Sequence, residues 1–417
     1  MKNKITLATK GGDPIVDEKY RHFTHPVLSD SLVAWMGNKS NLESVTTFDA
    51  RFITELEAKI KEILGLKYAL VTNSGTSAIF EMFYTLDLKP GDEVIVPVYT
   101  FFSTATPLFV LGCKPVLADC LDNGNIDPKD IEKKITKKTK AIIITHMWGI
   151  PCDMKELMEI SEKYNIPIVE DSSHAHGATY HGKIIGNFGK SSAWSLGTKK
   201  IISGGQGGVF GTNDQELYEK AILAGHANNK RLNNIRLAKF IPFSISGTGL
   251  NLRMHPYSAK VIFEQFENLN SQLKDRREVA KYLTKEISKI PGLTTPRVPE
   301  NSEASWYTFP VFFNEKEFGI SKEKFVEAVL VEGAEGVDIP GSTCPITEFQ
   351  VFRQAVVDFE HGDTREDIYA LDMFPGAKKF QENMFKLPMW YGEKAMEYAG
   401  VYMKAIKKVA ENIDQLK

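Results

Sequence analysis

AIIITHMWGIPCDMKELMEISEKYNIPIVEDSSHAHGA, residues 141–178, decides the fold class. It opens on the continuously apolar run Ala141–Thr145, passes through Asp153, a plausible N-cap, into a helical pattern over Met154–Tyr164, and closes on a second apolar run, Pro167–Glu170. Strand, helix and strand in that order make a parallel pair joined by a crossover helix. An unbroken apolar run, rather than an alternating one, suits a strand covered on both faces.

Working outward, the same texture recurs. Strand-like runs occupy Tyr68–Thr72, Glu93–Val98 and Pro115–Asp119 before this stretch, and Ser192–Leu196 and Gly208–Gly211 after it, with helical patterns at Ser77–Thr85 and Asp127–Ile135. The expectation is an α/β chain whose large domain holds a mainly parallel seven-stranded sheet. Past residue 255 the pattern changes to a long polar helical stretch, Pro256–Ile290, stopped by Pro291-Gly292. A strand candidate at Trp306–Phe313 and helical stretches at Ser321–Glu332 and Glu393–Leu416 follow, so residues 255–417 read as a linker helix and a smaller C-terminal α+β domain, and residues 1–254 as the large domain with its N-terminal segment.

Composition narrows the function. Lys plus Arg total 51 and Asp plus Glu 53, a net charge of −2, which gives nucleic acid no electrostatic footprint. The N-terminal MKNKITLATKGGDP has no apolar signal core and no run of about 18 apolar residues occurs, so a cytoplasmic, membrane-free protein is expected. Cys113, Cys120, Cys152 and Cys344 form no CxxC pair and read as plain thiols. The lysine-rich Glu132–Lys140 reads as a solvated helix end.

Four segments carry chemistry. In Ser191–Gly208, SSAWSLGTKKIISGGQGG, a strand runs into two lysines and a glycine turn; a lysine held there and partly buried would have a lowered pKa and attack a carbonyl as the neutral amine, whereas two solvated lysines are the plain alternative. In Thr72–Ala78, TNSGTSA, a strand ends at a helix start, where free amides and the Ser74 and Thr76 hydroxyls suit a phosphate; a simple N-cap is the other reading. In Pro167–Ala178 a strand ends in Glu170-Asp171, at the edge where α/β sheets bind ligands, so Asp171 suits an ion pair with a protonated heterocycle. Asp171, His174 and His176 as metal ligands, or a capped polar turn, compete with that reading, the metal weakened by the lack of further ligands. In Val96–Pro107 an aromatic cluster follows a strand, placing Tyr99, Phe101 or Phe102 either on a planar cofactor or in the core.

Taken in order, SGTSA, PVYTFFSTA, EDSSHAHGA, SLGTKKIISGGQGG and GLNLRM resemble the DegT-type family of sugar aminotransferases, within the fold-type I pyridoxal phosphate (PLP) enzymes, over nearly the whole chain. The resemblance implies a Schiff-base lysine five residues after a strand serine and seven before a Gly-Gly, which fits Lys200 between Ser195 and Gly207-Gly208; Lys199 misses each spacing by one. It further implies that Asp171 pairs with the pyridine nitrogen, that His174 stands where Gln is common near the ring hydroxyl, and that Phe101 stacks on the ring. Ser74, Gly75, Thr76 and Ser195 would hold the phosphate, and Asn251 would reach the phosphate of the neighbouring subunit in a homodimer with shared active sites. The implied reaction moves an amino group from L-glutamate, or glutamine, to the ketone or aldehyde of a carbohydrate-type acceptor in amino-sugar or surface-glycan biosynthesis.

Departures bear on the acceptor. Gln206 replaces a carboxylate, Leu250 and Leu252 replace aromatics, and no histidine stands in Ser342–Val351, where members acting on nucleotide-linked sugars commonly have one. The long loop Gly225–Gly249 carries Lys230, Arg231, Arg236 and Lys239, suited to a phosphorylated acceptor or equally to solvent. A cyclitol ketone or a small phosphorylated ketone such as dihydroxyacetone phosphate is the alternative acceptor. Dehydration is disfavoured because dehydrating relatives replace the lysine with histidine, and no segment is left for a DNA-binding domain.

Overall fold

A computed structural model describes residues 5–20, 22, 28–44, 51–226, 229–354 and 367–417. Its centre is a seven-stranded sheet of β1 (Tyr68–Thr72), β2 (Glu93–Pro97), β3 (Lys114–Ala118), β4 (Thr139–Thr145), β5 (Ile168–Asp171), β6 (Ser191–Ser195) and β7 (Gly208–Thr212), in the order β1-β7-β6-β5-β4-β2-β3. Only β7 runs against its neighbours. The seven expected strands are present, with ends moved by a residue or so.

Alternate residues of these strands feed opposite faces. Val94, Val96, Ala141, Ile143 and Val169 join one core with Ala78, Ile79 and Met82 of α2 (Gly75–Thr85) and Ile222 of α4 (Gln215–Gly225). Ile95, Ile142, Ile144 and Ile168 join Leu157 and Ile160 of α3 (Met154–Tyr164) on the other face. Next to them, Ala69, Val71 and Val209 pack on Leu56 and Ile60 of α1 (Arg51–Leu64) and Ala259 and Ile262 of α5 (Pro256–Glu267). Burying both faces accounts for the continuously apolar runs. Asp153 stands at the N-cap of α3 but does not cap it; its carboxylate accepts from Arg297 at 2.7 Å instead.

The expected single helix Pro256–Ile290 is broken at Asn268, whose side chain donates back to the Glu264 carbonyl at 3.3 Å, a local bond that competes with the helical ladder. The break divides two environments. Residues of α5 and the first turns of α6 (Leu269–Ile287) cover the large sheet, while Val279, Ala280, Leu283 and Ile287 enter a second core. That core also takes α7 (Lys322–Val331), α8 (Ala395–Glu411) and a small antiparallel sheet of Leu293–Thr294, Phe309–Phe313 and Met384–Leu387. The strand expected from Trp306 starts only at Phe309, because Trp306 takes the left-handed conformation at φ 53°.

Leu7 and Val16 of the N-terminal segment pack into this second core as well, away from the large sheet with which the sequence grouped them. We therefore propose a division near residue 255 with the described N-terminal residues docked on the C-terminal unit. Glu332 holds them there: its carboxylate accepts from the Ala8 amide at 2.9 Å, the Ile15 amide at 3.2 Å and Lys408 Nζ at 2.9 Å. Both side chains are buried, and removing one member of such a pair strands the other's charge. Lys408→Met is expected to lower unfolding free energy by about 3 to 5 kcal/mol, read from the urea midpoint, against a much smaller loss for a surface control such as Lys281→Met.

Candidate active site

The topology brings the singled-out segments to one edge. β1, β2, β4, β5 and β6 all point their carboxyl ends the same way, and the register Thr72↔Gly208↔Ser195 aligns the end of β1, the start of β7 and the end of β6. Ligands of open α/β sheets bind at this edge.

At the end of β1, Ser74 caps α2, its hydroxyl accepting from the Ser77 amide at 3.1 Å. The amides of Gly75 and Thr76 belong to the first turn, whose N–H groups have no intrahelical partners and face the positive end of the helix. Gly75 lies so close to β6 that a Cβ there would come within 2.7 Å of the Ser195 Cβ, so only glycine lets this turn meet Ser195. Gly208 is equally constrained, 2.3 Å from the Ser74 carbonyl oxygen by the same measure.

At the end of β5, Asp171 is buried and fixed by two donors, Thr104 Oγ1 to Oδ2 at 2.7 Å and the Ser173 amide to Oδ1 at 3.1 Å. Thr104 is itself bonded to Thr100 at 2.8 Å, and Thr100 to Thr145 at 3.1 Å, a chain of three hydroxyls leading to the carboxylate. Its neighbour Glu170 points the other way and is taken up by the amides of Gly186, Phe188 and Gly189 and by His146, so the two adjacent carboxylates divide into one anchor and one group facing the edge.

After β6 the chain turns through Gly197 to Gly207. Lys199 adopts a left-handed conformation at φ 68° and is exposed, while Lys200 turns inward, its amine 4.8 Å from the centre of the Tyr307 ring. Burial pushes the Lys200 pKa down to about 8, against a weaker pull upward from Asp171. Gln265 of α5 locks this turn with both ends of its amide, accepting from the Ser203 amide at 2.9 Å and donating to the Ser203 carbonyl at 2.6 Å.

His174 lies in a near-parallel arrangement with Trp148 and Tyr307, 5.6 and 4.2 Å from their ring centres, and burial with the Lys200 charge pushes its pKa well down. His176 is buried, neutral, with a pKa of about 3 and no ring nitrogen in hydrogen-bond geometry; the Ser195 backbone lies near enough only to oppose the shift weakly. The two Asp171 oxygens are engaged by Thr104 and Ser173, and no cluster of three metal-ligating side chains occurs among the described residues. Phe101 is 36 % exposed at the edge, on the strand pair Tyr99–Phe101 with Thr343–Pro345, and its ring packs on Phe102 at 4.2 Å. Ser342–Val351 does lie beside Phe101.

The Asn251 segment is tied to its own chain, the Asn73 amide donating to the Leu252 carbonyl at 2.7 Å and Thr72 bridging Arg253, and the Asn251 carboxamide accepts from Arg253 at 2.9 Å. It therefore stands at the mouth of its own Ser74–Thr76 turn. In the basic loop, Lys230 pairs with Glu57, Lys239 with Glu216 at 2.6 Å, and Arg236 with backbone carbonyls, so three of the four cations are engaged internally.

Thr104, Trp148, Gln265 and Tyr307 were not singled out by sequence. Thr104 sits inside the aromatic segment that was, Tyr307 was read as strand, and nothing in the polar helix distinguishes Gln265.

The donor set suits PLP: an amine with a lowered pKa, a buried carboxylate, and helix-terminal amides in a cradle that a Cβ at Gly75 would fill. The buried Ser172 Oγ and His174 Nδ1 lack hydrogen-bond partners among the described residues. A model of the DegT/DnrJ/EryC1/StrS aminotransferase family matches residues 39–394. The chain is 30% identical, over 81% of its length and 79% of the relative's, to a putative L-glutamine:3-amino-2,3-dideoxy-scyllo-inosose aminotransferase of Micromonospora echinospora. It is 32% identical, over 64% of its length and 70% of the relative's, to a dTDP-3-amino-3,6-dideoxy-alpha-D-galactopyranose transaminase of Aneurinibacillus thermoaerophilus. The E coli GDP-4-keto-6-deoxy-D-mannose-3-dehydratase with bound hydrated PLP shares the fold, with a TM-score of 0.79 at 22% identity, covering 92% of this chain and 98% of that one. The five motifs, the sheet that gathers them and the family match agree: the chain belongs to the DegT/DnrJ/EryC1/StrS aminotransferase family.

Proposed function

We propose that this aminotransferase works with PLP, takes its amino group from L-glutamate or glutamine, and delivers it to the ketone or aldehyde of a carbohydrate-type acceptor in amino-sugar or surface-glycan biosynthesis. The observation that carries the reading is the pairing of an inward, pKa-lowered Lys200 with a fixed Asp171 on the same sheet edge. Bound there, PLP supplies an electron sink and a carrier for the amino group.

The chain's residues supply the rest. Lys200 Nζ, neutral for a useful fraction of molecules near pH 8, attaches the cofactor and then carries a proton to and from the donor's Cα. Asp171 would pair with the heterocycle nitrogen of the bound cofactor and hold its proton there. Ser74, Gly75, Thr76 and Ser195 would hold the phosphate at the α2 terminus, Phe101 would stack on the ring, and His174, kept neutral, would stand near the ring hydroxyl. Asn251 is assigned to the phosphate of the neighbouring subunit, in a homodimer with shared active sites. Among the described residues no helix is long and apolar enough to cross a membrane, and a cytoplasmic location stays part of the proposal.

For the acceptor, the dTDP-sugar relative supports a nucleotide-linked keto sugar, and the scyllo-inosose relative supports a cyclitol ketone as the second reading. The cations of the loop offer a small phosphorylated ketone less, being engaged already. The PLP-loaded protein, mixed with L-glutamate, is expected to lose its yellow colour and release one 2-oxoglutarate per site. Colour lost only with glutamine assigns that donor, and colour unchanged by either removes the donor assignment.

A further inference from the structure

The Lys200 amine meets an aromatic face rather than a carboxylate. Its Nζ lies 4.8 Å from the centre of the half-buried Tyr307 ring, and among the described residues it enters no ion pair. Tyr307 is stacked on His174 with ring centres 4.2 Å apart, and both rings lie within 17° of the Trp148 plane.

Strained backbone builds this stack. Trp148 and Trp306 are both left-handed, at φ 58° and 53°, a conformation that bulky residues keep only where their surroundings enforce it. The two segments meet backbone to backbone. The Tyr307 amide donates to the Trp148 carbonyl and the Ser305 amide to the Gly149 carbonyl, each at 3.0 Å, and a Cβ at Gly149 would come within 2.4 Å of Ser305 Oγ. Ser305 Oγ donates to the His174 carbonyl at 2.8 Å, and Arg276 Nη1, on α6, to the Trp306 carbonyl at 3.0 Å.

Strain held at one contact points to a use for what the contact positions. Here it positions a ring face at a lysine amine. A phenol ring attracts a cation within about 6 Å of its centre, and more strongly where water is excluded. The other groups facing the amine do not replace that attraction. His174 and His176 are kept neutral by burial and by the Lys200 charge itself, Arg276 acts on Tyr307 and His176 as a further positive charge, and Asp171 is engaged by Thr104 and Ser173. Burial and Asp338 raise the Tyr307 phenol to about 12, so the ring and not a phenolate meets the amine.

We propose that the Tyr307 ring face is the seat of the Lys200 ammonium, holding the amine in place whenever it is detached from the cofactor. The seat stands on this chain's geometry, and its use during turnover rests on the aminotransferase reading above. Two measurements test it. The protein loaded with pyridoxamine phosphate, which leaves Lys200 free, is expected to show a titration in the tyrosine near-ultraviolet circular dichroism that Lys200→Met lacks, a comparison that needs no substitution at Tyr307. In Tyr307→Leu, the pH at which attachment of added PLP levels off is expected to fall by at least about half a unit, because the ring favours the charged amine; Tyr307→Phe, which keeps a ring, should hold it within about 0.2 unit of wild type.

Tyrosine signals that titrate alike in wild type and Lys200→Met overturn the seat, as does a levelling pH that is unchanged or raised in Tyr307→Leu. Both expected results, together with a wild type whose colour neither glutamate nor glutamine changes, uphold the seat and remove its use in turnover. Normal colour loss with glutamate in the wild type, together with an unchanged levelling pH in Tyr307→Leu, keeps the aminotransferase reading and removes the seat.

Discussion

Lys200→Ala is expected to lower turnover by at least about 10⁴-fold while leaving a folded protein, since one amine both attaches the cofactor and moves the proton. Borohydride treatment of the PLP-loaded wild type should fix the cofactor to the peptide containing Lys200, and in the variant it should fix none. Retained turnover, or cofactor fixed to Lys199, refutes the assignment. The pH dependence provides a separate check on the same side chain. With its pKa lowered to about 8, the free amine becomes available as pH rises through that value, and attachment of added PLP should accelerate up to about pH 8 and then level off. Stability without cofactor should follow the same titration. The folded pKa lies below the ordinary 10.5, so the unfolded chain binds the proton more tightly, and stability rises with pH between about 8 and 10.5. Lys200→Met, which carries no charge to bury, should therefore be the more stable protein below pH 8, by on the order of 3 kcal/mol at most, with the gap closing toward pH 10.5. Parallel curves for the two proteins would refute the burial of this amine.

The strands were legible because burial on both faces leaves nothing but apolar residues between Gly, Pro and polar breaks, as in Ala141–Thr145. Glu170-Asp171 and the two lysines were legible as places, and the structure separates each pair: Glu170 into the Gly186–Gly189 turn, Asp171 to the edge, Lys199 outward, Lys200 inward. The residues alone left the two lysines undivided, because the backbone turn that separates them is not written in composition; the spacing that the family resemblance implies is what selected Lys200. Gln265 and Arg276 were illegible for a different reason. They lie on polar helices whose period fits solvent exposure, and their partners, Ser203 and Trp306, are 62 and 30 residues away. The contacts of residues 7–16 with the second core were not legible because Glu332 and Lys408, which hold that stretch, stand more than 300 residues later.

The loop Gly225–Gly249 carries four cations that suit a phosphorylated acceptor or solvent equally, and Glu57 and Glu216, on α1 and α4, hold two of them, Lys230 and Lys239. A phosphate taken up by Lys230 or Lys239 would have to displace the Glu57 or Glu216 carboxylate, which costs most of what it gains.

Asp171→Asn is expected to lower kcat by about 10² to 10³-fold, the scale of losing one preorganised electrostatic partner, with little change in folding. The small folding cost follows from the hydroxyl chain. Thr104 now donates to Asp171, but a threonine hydroxyl accepts as readily, and Thr100 and Thr145 behind it are hydroxyls too, so the chain can reverse and accept from an asparagine amide while the Ser173 amide keeps its oxygen. What the variant loses is the negative charge, and with it the preference for a protonated ring nitrogen. Thr104→Val makes the complementary change, keeping the charge and removing the bond that aims it, and should cost about 10-fold, within the range of one charge-assisted hydrogen bond. Single-turnover rates with L-glutamate, alongside thermal melts of both variants, separate the two effects. An Asn variant within about three-fold of wild type, or a Thr104→Val variant slower than the Asn variant, would mean that orientation rather than charge is what Asp171 contributes.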